Sequence, residues 1–217
     1  MTKSLTALAA ALLTLAGAAH ASPITGTSGS AAPTVAGATG TVTFDALAQT
    51  NYSSLTSGGV TFSGVGGSVR VSSSYAGDYN GRGAAYLDNN AGSTNSLRFD
   101  FNSPLSAFAF NWGASDVSWL LSAFDASGTL LESMTTPITN ASNAGNYIGI
   151  AHSGIKYATL TASSGGDWVF VDNFVTAAAG TTVPEPASLA LVALALGGMV
   201  ASRRRSQRSV LTEQTII

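Results

Sequence analysis

Residues 97–112 read LRFDFNSPLSAFAFNW. Leu97, Phe99 and Phe101 fall on one side of a two-residue repeat, and Arg98 and Asp100 fall on the other. After Pro104 the repeat resumes with Phe108, Phe110 and Trp112. A period of two places alternate side chains on opposite faces of an extended chain, so one face is buried and the other meets water. Aromatic residues in that pattern suit a pleated, half-buried surface. Proline gives no ladder hydrogen bond, so Pro104 predicts a break between two strands.

The same rhythm extends outward. Downstream, Val117, Trp119, Leu121 and Ala123 alternate, and Asp125-Ala126-Ser127-Gly128 reads as a hairpin turn into residues 129–134. Residues 147–150, 155–162 and 168–175 follow as extended runs. Upstream, Val42 with Phe44, Val60 with Phe62, Val69 with Val71, and residues 84–87 form shorter ones. Glycine, serine, asparagine and aspartate clusters separate them, and no helical period is sustained between residues 41 and 176. Roughly ten short strands in a stretch of this size predict an all-β domain, a jelly-roll-like β-sandwich over residues 41–176. Trp112 and Trp119 are assigned to its core. Residues 22–40 hold little to bury and read as a flexible lead-in, and residues 177–183 read as a small-residue linker.

Both ends carry targeting signals. Lys3, the apolar residues 5–18 and Ala19-His20-Ala21 make a secretory signal peptide over residues 1–21, with an N-terminal signal helix. Residues 183–205 read VPEPASLALVALALGGMVASRRR. A charge-free apolar run backed by Arg203, Arg204 and Arg205 is a membrane stop with its basic side in the cytoplasm. The run is about 15 residues, about 22 Å as a helix, against about 30 Å of hydrocarbon. It is a short C-terminal hydrophobic helix, suited to transient anchoring, and residues 209–217 form a cytoplasmic tail. A permanent single-span anchor is the competing reading.

Residues 22–183 contain four cations (Arg70, Arg82, Arg98, Lys156) against nine acids, a net charge of −5. Such a surface repels nucleic acid and favours a cation or a neutral sugar. The chain has no cysteine, which excludes disulfides, thiolate metal sites and thiol nucleophiles.

The tail resembles the PEP-CTERM sorting signal of Gram-negative bacteria that secrete exopolysaccharide. The matching residues are Val183, Pro184, Glu185, Pro186 and Ala187, the apolar run and the arginine cluster, so the sorting segment spans residues 184–208. The resemblance implies processing by an exosortase, with cleavage near Pro-Glu-Pro and delivery to the envelope or extracellular matrix. The segment is also catalogued as an ice-binding-protein C-terminal domain, a label for the tail alone. More loosely, Phe44-Asp45, residues 86–89, 97–113 and 125–128, and Asp172 to Val175 resemble the ectodomains commonly joined to such tails. Those are similar to lectin-like and carbohydrate-binding jelly rolls.

Catalysis finds little footing. His152 is the one histidine left after signal cleavage, and no nucleophile-elbow motif surrounds it. Calcium binding is implied by the resemblance, in which a structural ion ties a first-strand acid to a last-strand aspartate. Asp45 and Asp172 would then be ligands, with Asp88 a third, since calcium takes hard oxygen donors. The competing reading makes Asp172 and Asn173 turn or bulge residues bonded to local backbone. Sugar binding would use Tyr75, Tyr79 and Arg82 in the glycine-rich loop SSSYAGDYNGRG, against the reading of an ordinary long loop. The leading expectation is an exported, exosortase-processed protein of the cell surface or matrix. Its role would be non-enzymatic, in envelope, exopolysaccharide or biofilm structure or in adhesion, with exopolysaccharide as a partner. A calcium-linked carbohydrate-binding module is the alternative, and a glycan hydrolase ranks below both.

Overall fold

The computed structural model describes residues 22–141 and 143–179. The signal peptide, the sorting segment, the arginine stop and residues 180–183 of the linker lie outside the described residues. Among the described residues every regular element is a strand. No helix there is long and apolar enough to cross a membrane.

Twelve strands form two antiparallel layers that share two long strands. These are β8 (Ser96–Gly113) and β11 (Asn146–Ala162). The first half of β8 pairs with β5 (Val60–Gly64) and with the second half of β11. That layer continues through β9 (Trp119–Phe124) and β10 (Leu130–Thr135) on one side and β4 (Ser54–Ser57) on the other. The second half of β8 pairs with β12 (Phe170–Ala178) and with the first half of β11. β12 carries the second layer on through β7 (Tyr86–Asp88), β6 (Val69–Ser72) and β3 (Asn51–Tyr52).

The bend of β8 falls at Asn102, Ser103 and Pro104, which are exposed between two buried stretches. The bend of β11 falls between Ala151 and Ile155, where the register shifts and Gly154 adopts φ of 82°. Pro104 therefore marks a corner within one strand, where two separate strands were expected. A corner needs no ladder donor from proline, and bulges at corners let a strand pass from one sheet to the other.

Two expected boundaries are corrected. The lead-in contains β1 (Ser22–Thr27), paired with β11 over six residues, and the start of β2 (Ala38–Val42), paired with β12. Both are edge strands whose side chains stay largely exposed, so they lack the hydrophobic alternation that signals a strand. Ala177 and Ala178, at the start of the expected linker, belong to β12 and pair with β8.

The core is aromatic. Phe174 of β12 lies 5.2–6.3 Å, ring to ring, from Phe62, Phe99, Phe101, Phe108 and Phe110, which come from both layers. Aromatic pairs at these distances add attraction beyond their buried area. Trp112 and Trp119 are buried as expected, 5.8 Å apart. The Trp119 indole N–H donates to Asp167 at 2.7 Å, which fixes the β11–β12 loop against β9. The Asp125 turn forms as read: its carboxylate accepts the backbone N–H of Ser127 and Thr129, and Gly128 supplies φ of 85°.

Candidate functional site

Four loops meet at one end of the sandwich: residues 73–85, 114–118, 136–145 and 163–169. Asn80, fully buried, ties the first of them to the third and to the end of β8. Its side-chain amide donates to the Trp112 carbonyl at 2.9 Å. Its Oδ1 accepts from the Gly145 backbone at 2.6 Å and from the Arg82 guanidinium at 3.0 Å. Its backbone N–H donates to Asn143 Oδ1, and Asn143 Nδ2 in turn reaches the Gly77 carbonyl. Tyr79 and Asn80 both adopt positive φ, 49° and 61°. Asparagine tolerates that region because its short amide bonds locally; a tyrosine there is held by its surroundings. Gly113 at the end of β8 lies against the Tyr79 carbonyl, where a Cβ would overlap the oxygen. The lack of a side chain there lets the loop pack down.

Between these loops lie two adjoining open hollows. One, of about 490 Å³, is lined by Tyr75, Asp78, Tyr79, Asn140, Ala141 and Asn143. The other, of about 200 Å³, adds Ala114, Asp116, Trp168 and Phe170 to Tyr75, Tyr79 and Asn140. Tyr75 is 41% exposed and Tyr79 37%. Tyr75 packs edge-on against Tyr79 at 5.9 Å and Trp168 at 5.2 Å, and Phe170 stacks on buried Tyr86 at 4.0 Å beneath them. The tyrosines are thus rigid aromatic walls on a packed floor. Phenol faces beside carboxylate and amide groups are what a pyranose ring needs, with its apolar C–H face and its rim of hydroxyls.

The structure brings Tyr75 and Tyr79 to the cleft and turns Arg82 away from it. The Arg82 guanidinium bonds Asn80 Oδ1 and the Asn143 carbonyl, each at 3.0 Å, so it braces the loops. Sequence reasoning missed Asn140, Asn143, Asp116 and Trp168 as cleft residues. They come from loops far apart in the chain, and no local pattern joins them.

The three acids expected to share calcium do not form a set. Asp88 is buried in β7 and is held by Arg70 of β6, with Nε and Nη2 at 3.1 and 3.0 Å from one carboxylate oxygen. Burial pushes the Asp88 carboxyl above its ordinary value, and the Arg70 bonds oppose that rise. Arg70 also lies over the Trp168 ring at 5.3 Å. Among the described residues no group of three acids or histidines is placed to hold a metal. What remains is the neighbouring pair of Asp45 and Asp172. Asp45 accepts the backbone N–H of Ala84 and Ala85, at 2.6 and 3.0 Å. Asp172 accepts that of Arg82 at 2.6 Å and of Asn173 at 2.7 Å. The two carboxylates therefore hold one loop, residues 82–85, from either side.

Asp172 and Asn173 sit in a bulge, where β12 gains one residue on β8 and Asn173 takes φ of 44°. This matches the competing reading of those two residues. Asp172 has no exposed surface, and burial pushes its carboxyl up to about 8 against the two backbone amides. Repulsion from Asp45 adds to the rise. Its proton is thus retained at neutral pH. His152 lies in the β11 bend with Nδ1 on the Ser153 carbonyl.

No curated protein matches the chain. Among solved structures it is similar to the family 22 carbohydrate-binding module of Clostridium thermocellum Xyn10B, at 17% identity over 70% of this chain and 100% of that one, with a TM-score of 0.38. It is similar to a mutant of the CBM29-2 module at 15% identity, covering 67% of this chain and 98% of that one, with a TM-score of 0.38. A third similar structure is TmCBM61 in complex with beta-1,4-galactotriose, at 16% identity over 55% of this chain and 88% of that one, with a TM-score of 0.33. All three scores lie below 0.5, and no residue here takes a role from them. Beyond the described residues, residues 182–205 match the PEP-CTERM protein-sorting motif, so the chain carries the signal for export and sorting to the cell surface.

Proposed function

We propose that this is a non-enzymatic surface or matrix protein whose β-sandwich binds extracellular polysaccharide in the cleft of Tyr75 and Tyr79. The motif at residues 182–205 supports exosortase processing and transient membrane attachment. The observation that carries the binding reading is the cleft itself. Two exposed tyrosine faces stand over an aromatic floor, rimmed by Asp78, Asp116, Asn140 and Asn143. The side chains of Asp78, Asp116 and Asn140 have no hydrogen-bond partner among the described residues, so they are free to meet a ligand's hydroxyls. Catalysis has no comparable support, since the ring of His152, the single described histidine, turns onto its own neighbour's carbonyl.

The test is affinity electrophoresis of the full-length protein through gels containing polysaccharides of the envelope. Retardation is expected for the wild type and is expected to disappear in Tyr75→Ala/Tyr79→Ala, with an unchanged far-ultraviolet spectrum. Equal retardation of both proteins would place binding elsewhere, and no retardation by any polysaccharide would remove the reading.

A further inference from the structure

Among the described residues two charged side chains line the cleft, and both are acidic. Asp78 lines the larger hollow and Asp116 the smaller, on either side of the wall shared by Tyr75, Tyr79 and Asn140. Both residues are exposed, and neither carboxylate has a salt bridge or hydrogen bond among the described residues. The four cations of the domain are engaged elsewhere. Arg70 pairs with Asp88, Arg98 pairs with Asp100, and Lys156 donates to the carbonyls of Phe101 and Asn102. Arg82 is held by Asn80 and Asn143 behind the cleft wall.

A sugar carrying a carboxylate or sulfate would enter against two like charges and find no free cation to receive it. A neutral sugar would gain stacking and hydrogen bonds but no charge attraction. A protonated amine would gain attraction to the carboxylates and to the tyrosine faces, whose quadrupoles favour cations. We propose that the cleft selects glycans bearing free amino groups, a polymer rich in unacetylated amino sugar, over neutral and acidic ones. This rests on the carbohydrate reading of the cleft.

The experiment is isothermal titration calorimetry of the full-length protein in detergent. The probes are β-1,4-linked tetrasaccharides of glucosamine, N-acetylglucosamine and glucuronate, each at low and high salt. Glucosamine is expected to bind tightest, and to weaken with salt. Asp78→Asn and Asp116→Asn are each expected to weaken it by about threefold to fivefold, the range of an exposed ion pair, and to reduce its salt dependence. Equal binding of all three sugars, or tightest binding of glucuronate, would overturn the charge selectivity and leave the carbohydrate reading standing. Failure of all three sugars to bind would overturn both.

Discussion

Raising the pH from about 5 to about 9 should weaken the fold, and Asp172 is the group through which this acts. In the folded protein its carboxyl holds a proton up to about pH 8, whereas the ordinary value is 3.8. Below that ordinary value both folded and unfolded chains are protonated, and the buried neutral acid contributes its full stability. Between about pH 4 and pH 8 the unfolded chain releases the proton and the folded chain does not. Each pH unit in that window therefore lowers stability by up to about 1.4 kcal/mol, and the total is on the order of 5 kcal/mol. That is comparable to the whole stability of an ordinary domain. Asp172→Asn removes the slope at a fixed cost. Asp172 accepts two backbone N–H groups, one on each oxygen. An amide offers one oxygen, so one buried N–H loses its acceptor, at about 1–3 kcal/mol. Urea denaturation followed by tryptophan fluorescence at several pH values should show the variant weaker at about pH 4, the two curves crossing between about pH 4.5 and pH 6, and the variant the more stable at about pH 9. Asp88, raised in the same direction, is present in both proteins and cancels from the difference. A constant gap between wild type and variant across the range would refute the reasoning, because Asp172 would then be ionised throughout.

Four further outcomes can be checked. Arg70→Ala leaves Asp88 buried without its partner and should cost about 3–5 kcal/mol by urea denaturation, with part recovered in Arg70→Ala/Asp88→Asn. Gly113→Ala drives a methyl into the Tyr79 carbonyl; we expect polysaccharide retardation to be lost, with a destabilisation of about 1–3 kcal/mol. Calcium is our proposal for the Asp45–Asp172 pair, as a competitor of the proton. Calcium at about pH 8 to 9 should then raise the melting temperature and EGTA should reverse it, and no shift would remove calcium from the pair. Intact mass of protein recovered from the envelope and the medium should end between residues 184 and 187. A mass running through Ile217 would mean a retained anchor.

The two-layer architecture was legible where burial is one-sided. The alternation in residues 97–101 and 108–112 survives as the two halves of β8, with Phe99, Phe101, Phe108 and Phe110 all inside. What alternation does not encode is continuity: the corner at Pro104 looks like a gap, because only the pairing partners show that one strand turns it. β1 and β2 were hidden for the converse reason. Their polar, exposed residues are ordered by hydrogen bonds to β11 and β12, and backbone pairing leaves no mark on side-chain chemistry. The same division holds at the cleft. Tyr75 and Tyr79 stand out as aromatics in a glycine-rich loop. Asn140, Asn143 and Asp116 look like ordinary loop residues until Asn80 ties residues 136–145 to its own loop and Asp167 accepts the Asp116 backbone N–H. Asp88 misled because its partner, Arg70, lies on the adjacent strand, and a lone sequence does not reveal that pairing.

The course of β12 has a mechanical consequence. Phe170, its first residue, forms part of the cleft, and the strand ends at Ala178, on the side from which the chain continues toward the sorting motif. The strand is nine residues long, so eight steps separate these points, about 26 Å at roughly 3.3 Å per residue. β12 is flanked by β8 on one edge and by β7 and β2 on the other. A load applied between a polysaccharide held in the cleft and a tether beyond residue 179 would run lengthwise along this interior strand. The hydrogen bonds on both edges would be sheared together, where a pull across an edge strand would open them one after another.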